Sequence, residues 1–171
     1  MALAAVLSAV AIPRVLVTLD SARALGAARY VAARLMLARA SAVQRSAATA
    51  IRFDRDSRGV RFALYQDGNH NGVRSRDIEL NIDREIEQYV RLSDLFPGVD
   101  FGLSIDGQGA DPIQLGGTTL LTFTPTGTAT SGSLYVRGRN GPQYAVRVLG
   151  ATGRTRLERY DEQQRAWNGE F

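Results

Sequence analysis

The first 19 residues form a nearly continuous apolar run. In MALAAVLSAVAIPRVLVTL only Ser8, Arg14 and Thr18 are polar, and helix-forming residues surround a single proline, Pro13. The composition predicts a hydrophobic helix. A single membrane-spanning helix needs about 20 apolar residues, so this run is short and interrupted. A signal peptide is the alternative, but no basic segment precedes the run, and a helical pattern follows it where a cleavage site would stand.

From Asp20 to about Ala48 the apolar residues recur at steps of three and four, which is typical of an amphipathic helix. The residues of this apolar stripe are Leu25, Ala28, Ala32, Leu35 and Ala42 or Val43. Arg23, Arg34 and Arg45 are spaced by eleven residues, close to three whole turns, and we expect them to form one outward stripe. The pattern predicts one helix over residues 1–48 whose second half packs on a folded domain.

After Ala48 the apolar period changes to two, the period of half-buried strands. Ile51 and Phe53, then Val60, Phe62 and Leu64, flank the turn-rich sequence DRDSRG and predict a hairpin. Further strands are predicted at 87–92, 101–105, 120–124, 132–137, 144–149 and 155–160, with a glycine-rich loop over 106–118.

A long helix followed only by strands predicts an α+β fold, in which the helix packs on an antiparallel β-rich head. We expect a helical stem over residues 1–48, hydrophobic over 1–19, and a globular head over 49–171. The predicted shared core consists of Leu25, Leu35, Phe53, Phe62, Leu64, Phe123 and Val148.

Composition argues against several classes of chemistry. The 171-residue chain has no cysteine, which excludes thiolate nucleophiles and zinc-thiolate sites. Its one histidine, His70, lies in an Asn/Gly loop, and no G-x-S-x-G motif is present. We therefore expect a protein that is not an enzyme and that needs no cofactor, calcium apart.

The loop DGNHNGVRSRD at 67–77 is the candidate calcium site. Asp67, Asn69 and Asn71 alternate before Gly72, as do the oxygen ligands of D-x-[DN]-x-[DN]-G calcium loops. The twelfth position is Ile78, so Asp77 at the eleventh would have to complete the ligand set. The alternative is a tight Asn/Gly turn between two elements.

The C-terminal GRTR segment is the candidate polyanion site. Arg154 and Arg156 are two apart on a predicted strand and so lie on one face, where Arg147 and Arg159 could extend the row, depending on register. Such a row could bind DNA phosphates without sequence preference. In the alternative, Glu158 and Asp161 pair with these arginines. We expect Trp167 in the tail to pack over the sheet edge.

Several of these segments resemble a known family. The apolar run with AIP at 11–13, merging into an Arg- and Ala-rich helix, resembles the stem of type IV pilins and pseudopilins. LLTFTPTGTATSGSLYV at 120–136 and VRVLGATGRTRLERY at 146–160 resemble the signature strands and closing hairpin of the GspH/FimT type. The family's basic leader, cleavage site and mature-helix glutamate are absent. A misplaced start or a trimmed chain explains more of this than the alternative, a degenerate member of the family.

The resemblance implies a minor subunit of a type IV pilus or of a type II secretion pseudopilus. Its partners would be other pilin or pseudopilin subunits, docked through the N-terminal helix, and the inner membrane before assembly, with the head in the periplasm. In FimT-like members a GRxR motif is associated with DNA capture during uptake, which implies double-stranded DNA as a partner of Arg154 and Arg156. A secreted calcium-dependent β-module is the competing class.

Overall fold

A computed structural model describes residues 2–105, 108–139 and 141–170, and side chains from Val17 to Gly169 within those ranges. One long helix is followed by antiparallel strands, which confirms the predicted α+β fold. The helices are α1 (Ala2–Arg45), α2 (Ser75–Glu79) and α3 (Leu92–Leu95). The strands are β1 (Thr49–Asp56), β2 (Gly59–Gln66), β3 (Arg84–Arg91), β4 (Val99–Phe101), β5 (Leu103–Ile105), β6 (Gln108–Ala110), β7 (Ile113–Gln114), β8 (Leu120–Phe123), β9 (Gly132–Gly138), β10 (Gln143–Leu149), β11 (Arg154–Asp161) and β12 (Ala166–Glu170).

The strands form two main sheets. The first has the order β3-β2-β1-β8, and the second has the order β12-β11-β10-β9-β4, with β7 also paired to β9. β5 and β6 form a small separate hairpin. β5 lies within the strand predicted at 101–105, whereas β6 lies within the segment predicted as a loop. The predicted hairpin around DRDSRG is confirmed, since β1 and β2 pair from Thr49↔Gln66 to Asp56↔Gly59. β12 was not predicted.

Helix α1 ends three residues before the predicted limit. Ser46, directly after Arg45, has a positive φ of 52°, a left-handed conformation that closes helices. Two residues separate it from the first strand, so the chain passes from helix to sheet without a linker.

The second half of α1 is built into the core of the head. Its buried side chains lie three and four residues apart and are mostly small: Ala24, Ala27, Ala28, Val31, Leu35, Ala38 and Ala42. They share one apolar cluster with the inner faces of both sheets. Six of the seven predicted core residues are buried, whereas Leu25 is only partly buried because the helix turns its alanines inward.

The outward face of α1 is also apolar. Met36, Leu37 and Val43 are exposed there, so Ala42 rather than Val43 takes the last position of the predicted apolar stripe. The predicted arginine stripe is only partly observed: Arg23 and Arg45 are exposed, but Arg34 forms an ion pair with Glu87 of β3.

Polar contacts hold α1 against the head at three levels. Asp20 is buried, and its Oδ1 accepts the backbone N–H of Arg139 at 3.2 Å. The Arg34–Glu87 ion pair lies about four turns further along, and Arg39 Nε then donates to the carbonyl of Gly127 at 3.1 Å. These contacts reach both sheets, so they position the helix relative to each.

Within the described ranges, no helix combines the length and the apolarity needed to cross a membrane.

Candidate functional site

The register of β10 and β11 decides which arginines share a face. Arg147 lies opposite Arg156, Leu149 opposite Arg154, and Tyr144 opposite Arg159. Directly opposed residues point to the same side of a sheet, and neighbours along a strand alternate. Arg147, Arg154 and Arg156 therefore share the outer face, as predicted. Arg159 lies on the opposite face, toward α1, so its assignment to this row is wrong.

Arg147 is held by the protein itself. Its Nε donates to Glu158 Oε2 at 2.5 Å and a terminal nitrogen donates to Ser133 Oγ at 3.0 Å. The guanidinium also lies 5.9 Å from the ring centre of Tyr135 and 5.8 Å from that of Trp167. Although burial disfavours its charged form, the hydrogen bond that Arg147 donates to Glu158 prevails and raises the pKa of Arg147. Arg147 is thus a structural residue of this face.

Arg154 and Arg156 are exposed and lie beside Leu149, which is 60% exposed. Neither guanidinium has an ion pair in the described part of the chain. Glu158 is taken by Arg147, and the Asp161 carboxylate accepts the backbone N–H groups of Gln163 and Gln164. The alternative, in which Glu158 and Asp161 pair with Arg154 and Arg156, is therefore not observed in the described residues.

The two segments that carry the family resemblance meet at one point. Gly153, which opens GRTR, has a φ of +60°, and a Cβ there would lie 2.4 Å from the carbonyl oxygen of Gly127. That same carbonyl accepts the Arg39 hydrogen bond. Only glycine permits this approach, because it lacks a Cβ and tolerates positive φ. The glycine fixes the hairpin on α1 and so determines where Arg154 is presented.

The Asn-rich loop closes on itself through hydrogen bonds. Asp67 accepts the N–H of Asn69 at 3.1 Å through Oδ1 and that of Gly72 at 2.7 Å through Oδ2. Asn71 donates its side-chain amide to Asp77 Oδ2 at 3.1 Å. The four predicted ligand residues do come together, as an Asx-type turn.

Asp83 lies after the Asn-rich loop in the sequence and holds that loop in place, a role that was not predicted from the sequence. It is 1% exposed, and its two carboxylate oxygens accept the backbone N–H of Gly68 at 3.0 Å and of Arg74 at 2.9 Å. It therefore joins both ends of the loop to the start of β3. Among the described residues, no group of three or more His, Cys, Asp or Glu side chains is placed to hold a metal ion. Calcium binding stays a prediction.

Trp167 packs as predicted. It lies on β12, the edge strand, with its ring centre 5.3 Å from that of Tyr135 and 5.0 Å from that of Tyr160. Together with Leu103 and Ala145 these rings cover the outer face of the second sheet next to Arg147.

Comparisons with known proteins agree with this architecture. Among solved structures, the minor pseudopilin EpsH from the type 2 secretion system of Vibrio cholerae matches with a TM-score of 0.52 and 18% sequence identity, covering 79% of this chain and 95% of that chain. At this identity the likeness establishes the fold. Among curated protein sequences, none matches this chain. The family model described as type II transport protein GspH matches residues 27–153, more than half of the chain. The chain therefore belongs to the GspH family and is a GspH-type minor pseudopilin.

Proposed function

We propose that this protein is a structural subunit of a type II secretion pseudopilus, and that it acts by assembly with other pseudopilin chains. The stem would lie at the inner membrane before assembly, with the head in the periplasm. The observation that carries the proposal is the division of one continuous helix, α1, into two unlike halves.

From Asp20 onward, one face of α1 is buried against the head. Before that point Val17 is 55% exposed and Leu19 is 43% exposed. The helix continues to Ala2, fifteen residues before Val17 and so about 22 Å further. Fourteen of the sixteen residues at 2–17 are apolar, Ser8 and Arg14 being the exceptions. An apolar helix of this kind requires a lipid or protein environment, which neighbouring stems supply.

Action without catalysis fits the side chains that are available. His70 is exposed at the tip of the Asn-rich loop, and the nearby carboxylate of Asp67 is bonded to backbone N–H groups. Other polar contacts include ion pairs between strands, such as Arg91 of β3 with Asp56 of β1. The Tyr89 hydroxyl donates to the Asp54 carboxylate, but burial and this hydrogen bond raise the pKa of Tyr89, which opposes its activation as a nucleophile.

Cross-linking tests the proposal, because a cysteine-free chain accepts single, unique cysteines. Leu19→Cys would place a thiol at the base of the stem, and Leu149→Cys would place one on the outer face of the head. We expect Leu19→Cys to cross-link to cysteine-bearing stems of other pseudopilins in secreting cells, and Leu149→Cys to remain largely uncross-linked. Equal cross-linking at both positions, or secretion that is unaffected by deleting residues 1–19, would refute the assembly role.

DNA binding, as in a type IV pilus or an uptake machine, is the second candidate. One observation favours it: the Arg154 and Arg156 side chains are exposed on one face, without an ion pair in the described ranges. Two phosphate contacts predict weak binding, with a slope of log affinity against log salt of about −2. The test is a gel shift at low salt, in which Arg154→Gln with Arg156→Gln should remove binding while Arg147→Gln should not. Binding that survives the double substitution would exclude this site.

A further inference from the structure

We propose that the end of the head from which the stem emerges binds the surface of an anionic phospholipid membrane. Three arginines around α1 carry this contact: Arg23, Arg139 and Arg159, here called the stem-exit arginines. The inference rests on the proposed function in one respect, since both require the stem to enter an apolar environment.

The pairing of β10 with β11 places Arg159 on the opposite face from Arg154 and Arg156, and so at the end of the head where the stem emerges. It lies on the face of β11 that is turned toward α1, and it is exposed. It lines an open groove together with Val17 and Ser21 of the helix and Pro142 of the β9–β10 turn. Its guanidinium is thus placed at the level where the head ends and the apolar stem begins.

Arg139 lies at the same level on the β9–β10 turn. Its backbone N–H is bonded to Asp20 of α1, at 3.2 Å from Oδ1. Its exposed side chain lies over Gly98, where an added Cβ would be 3.4 Å from Arg139 Nε. Arg23 follows Leu19 by four residues and is exposed on the helix itself. The three positions come from three different elements, namely α1, the β9–β10 turn and β11.

Within the described residues, none of these three guanidiniums forms an ion pair with a carboxylate or a side-chain hydrogen bond. Arginines elsewhere in the head do so, as Arg34 with Glu87 and Arg147 with Glu158. Exposed apolar residues lie beside two of the stem-exit arginines. Val17, which is 55% exposed, lines the groove with Arg159, and Leu19, which is 43% exposed, lies one helical turn before Arg23. Unpaired guanidiniums next to an exposed apolar helix have the chemistry of a membrane interface, where phosphates meet hydrocarbon.

Acidic groups at the same end oppose the contact and provide a test of it. Asp161 and Glu162 line the groove with Arg159. The Asp161 carboxylate accepts two backbone N–H groups of the β11–β12 turn, and Asp20 is buried. Glu162 is therefore the acid whose neutralisation should strengthen binding to an anionic surface.

The experiment measures partitioning of the full chain onto vesicles of phosphatidylcholine and onto vesicles of equal parts phosphatidylcholine and phosphatidylglycerol. We expect the parent to prefer the anionic vesicles, and salt to remove the preference. Arg139→Gln with Arg159→Gln should weaken anionic binding by roughly 25-fold, on the basis of about fivefold per arginine. Glu162→Gln should strengthen it severalfold.

The matched control is Arg154→Gln with Arg156→Gln, which removes the same charge from exposed positions on the outer face of the same sheet. It should change binding by less than a factor of two or so. Equal losses in the two double variants would mean that net charge alone sets binding and would overturn the inference. Equal binding of the parent to both kinds of vesicle would overturn it and leave the stem's role intact. Failure to bind either vesicle would count against both the inference and the membrane location of the proposed function.

Discussion

Substituting Asp83 tests whether the Asn-rich loop is held by the protein alone. In Asp83→Ala the backbone N–H groups of Gly68 and Arg74 lose their acceptor at a position where the parent side chain is 1% exposed. Each buried donor without a partner costs about 1–3 kcal/mol, so the free energy of unfolding should fall by about 3 kcal/mol. For a chain of 171 residues this lowers the melting midpoint by about 6–12 °C.

Urea unfolding followed by circular dichroism measures this loss. Asp83→Asn keeps one acceptor oxygen and should lose roughly half as much. Asp94→Ala is the control, because its pairing with Arg58 at 3.5 Å is exposed and should contribute less than about 0.5 kcal/mol. A loss below about 1 kcal/mol in Asp83→Ala would refute the reasoning, since two buried donors would then be satisfied in another way.

Three further outcomes follow from contacts described above. Gly153→Ala should lower the free energy of unfolding by about 2 kcal/mol or more in urea, because its Cβ would meet the Gly127 carbonyl at positive φ; an unchanged midpoint would contradict that packing. About 5 mM calcium should shift the melting midpoint by less than about 1 °C, because Asp67 already accepts two backbone N–H groups; a larger rise that Asp67→Ala abolishes would establish a metal site. Burial and its hydrogen bond to Asp54 raise the pKa of Tyr89, so its stabilising contribution is complete below the unfolded-state pKa of about 10 and is lost as pH rises beyond it; unfolding at pH 8 to 11 should show a steeper decline in the parent than in Tyr89→Phe.

The order of elements could be predicted from the sequence because apolar period and turn residues are local signals. The rotation of α1 about its axis could not be predicted with the same success. Alanine occupies both faces of the helix, so hydrophobicity alone does not distinguish them. Leu25 was expected in the core but is only partly buried, and the choice between Ala42 and Val43 stayed open. Arg34 was expected in solvent because its partner, Glu87, lies more than fifty residues away in the chain.

In the candidate sites, too, features set by neighbouring residues could be predicted from the sequence, whereas contacts between distant segments could not. That Arg154 and Arg156 share a face follows from strand alternation, and alternation alone would also have placed Arg159 on the other face. That Glu158 bonds to Arg147 rather than to Arg156 depends on pairing across the sheet, which the sequence does not state. Asp83 had no distinguishing signal, because an acid before a strand is common and only the folded loop brings two N–H groups to it.

The polar contacts of α1 have a consequence for the rotational setting of the helix. Its outward face carries Met36, Leu37 and Val43, which are larger than most of the side chains buried on the inner face. Burial of apolar area by itself therefore distinguishes the two faces of the helix only weakly. The small inner residues allow closer approach to the sheets, and the contacts of Asp20, Arg34 and Arg39 can form in one rotation only. These few polar groups thus select one orientation among hydrophobically similar ones, as a buried polar residue selects the register of a coiled coil.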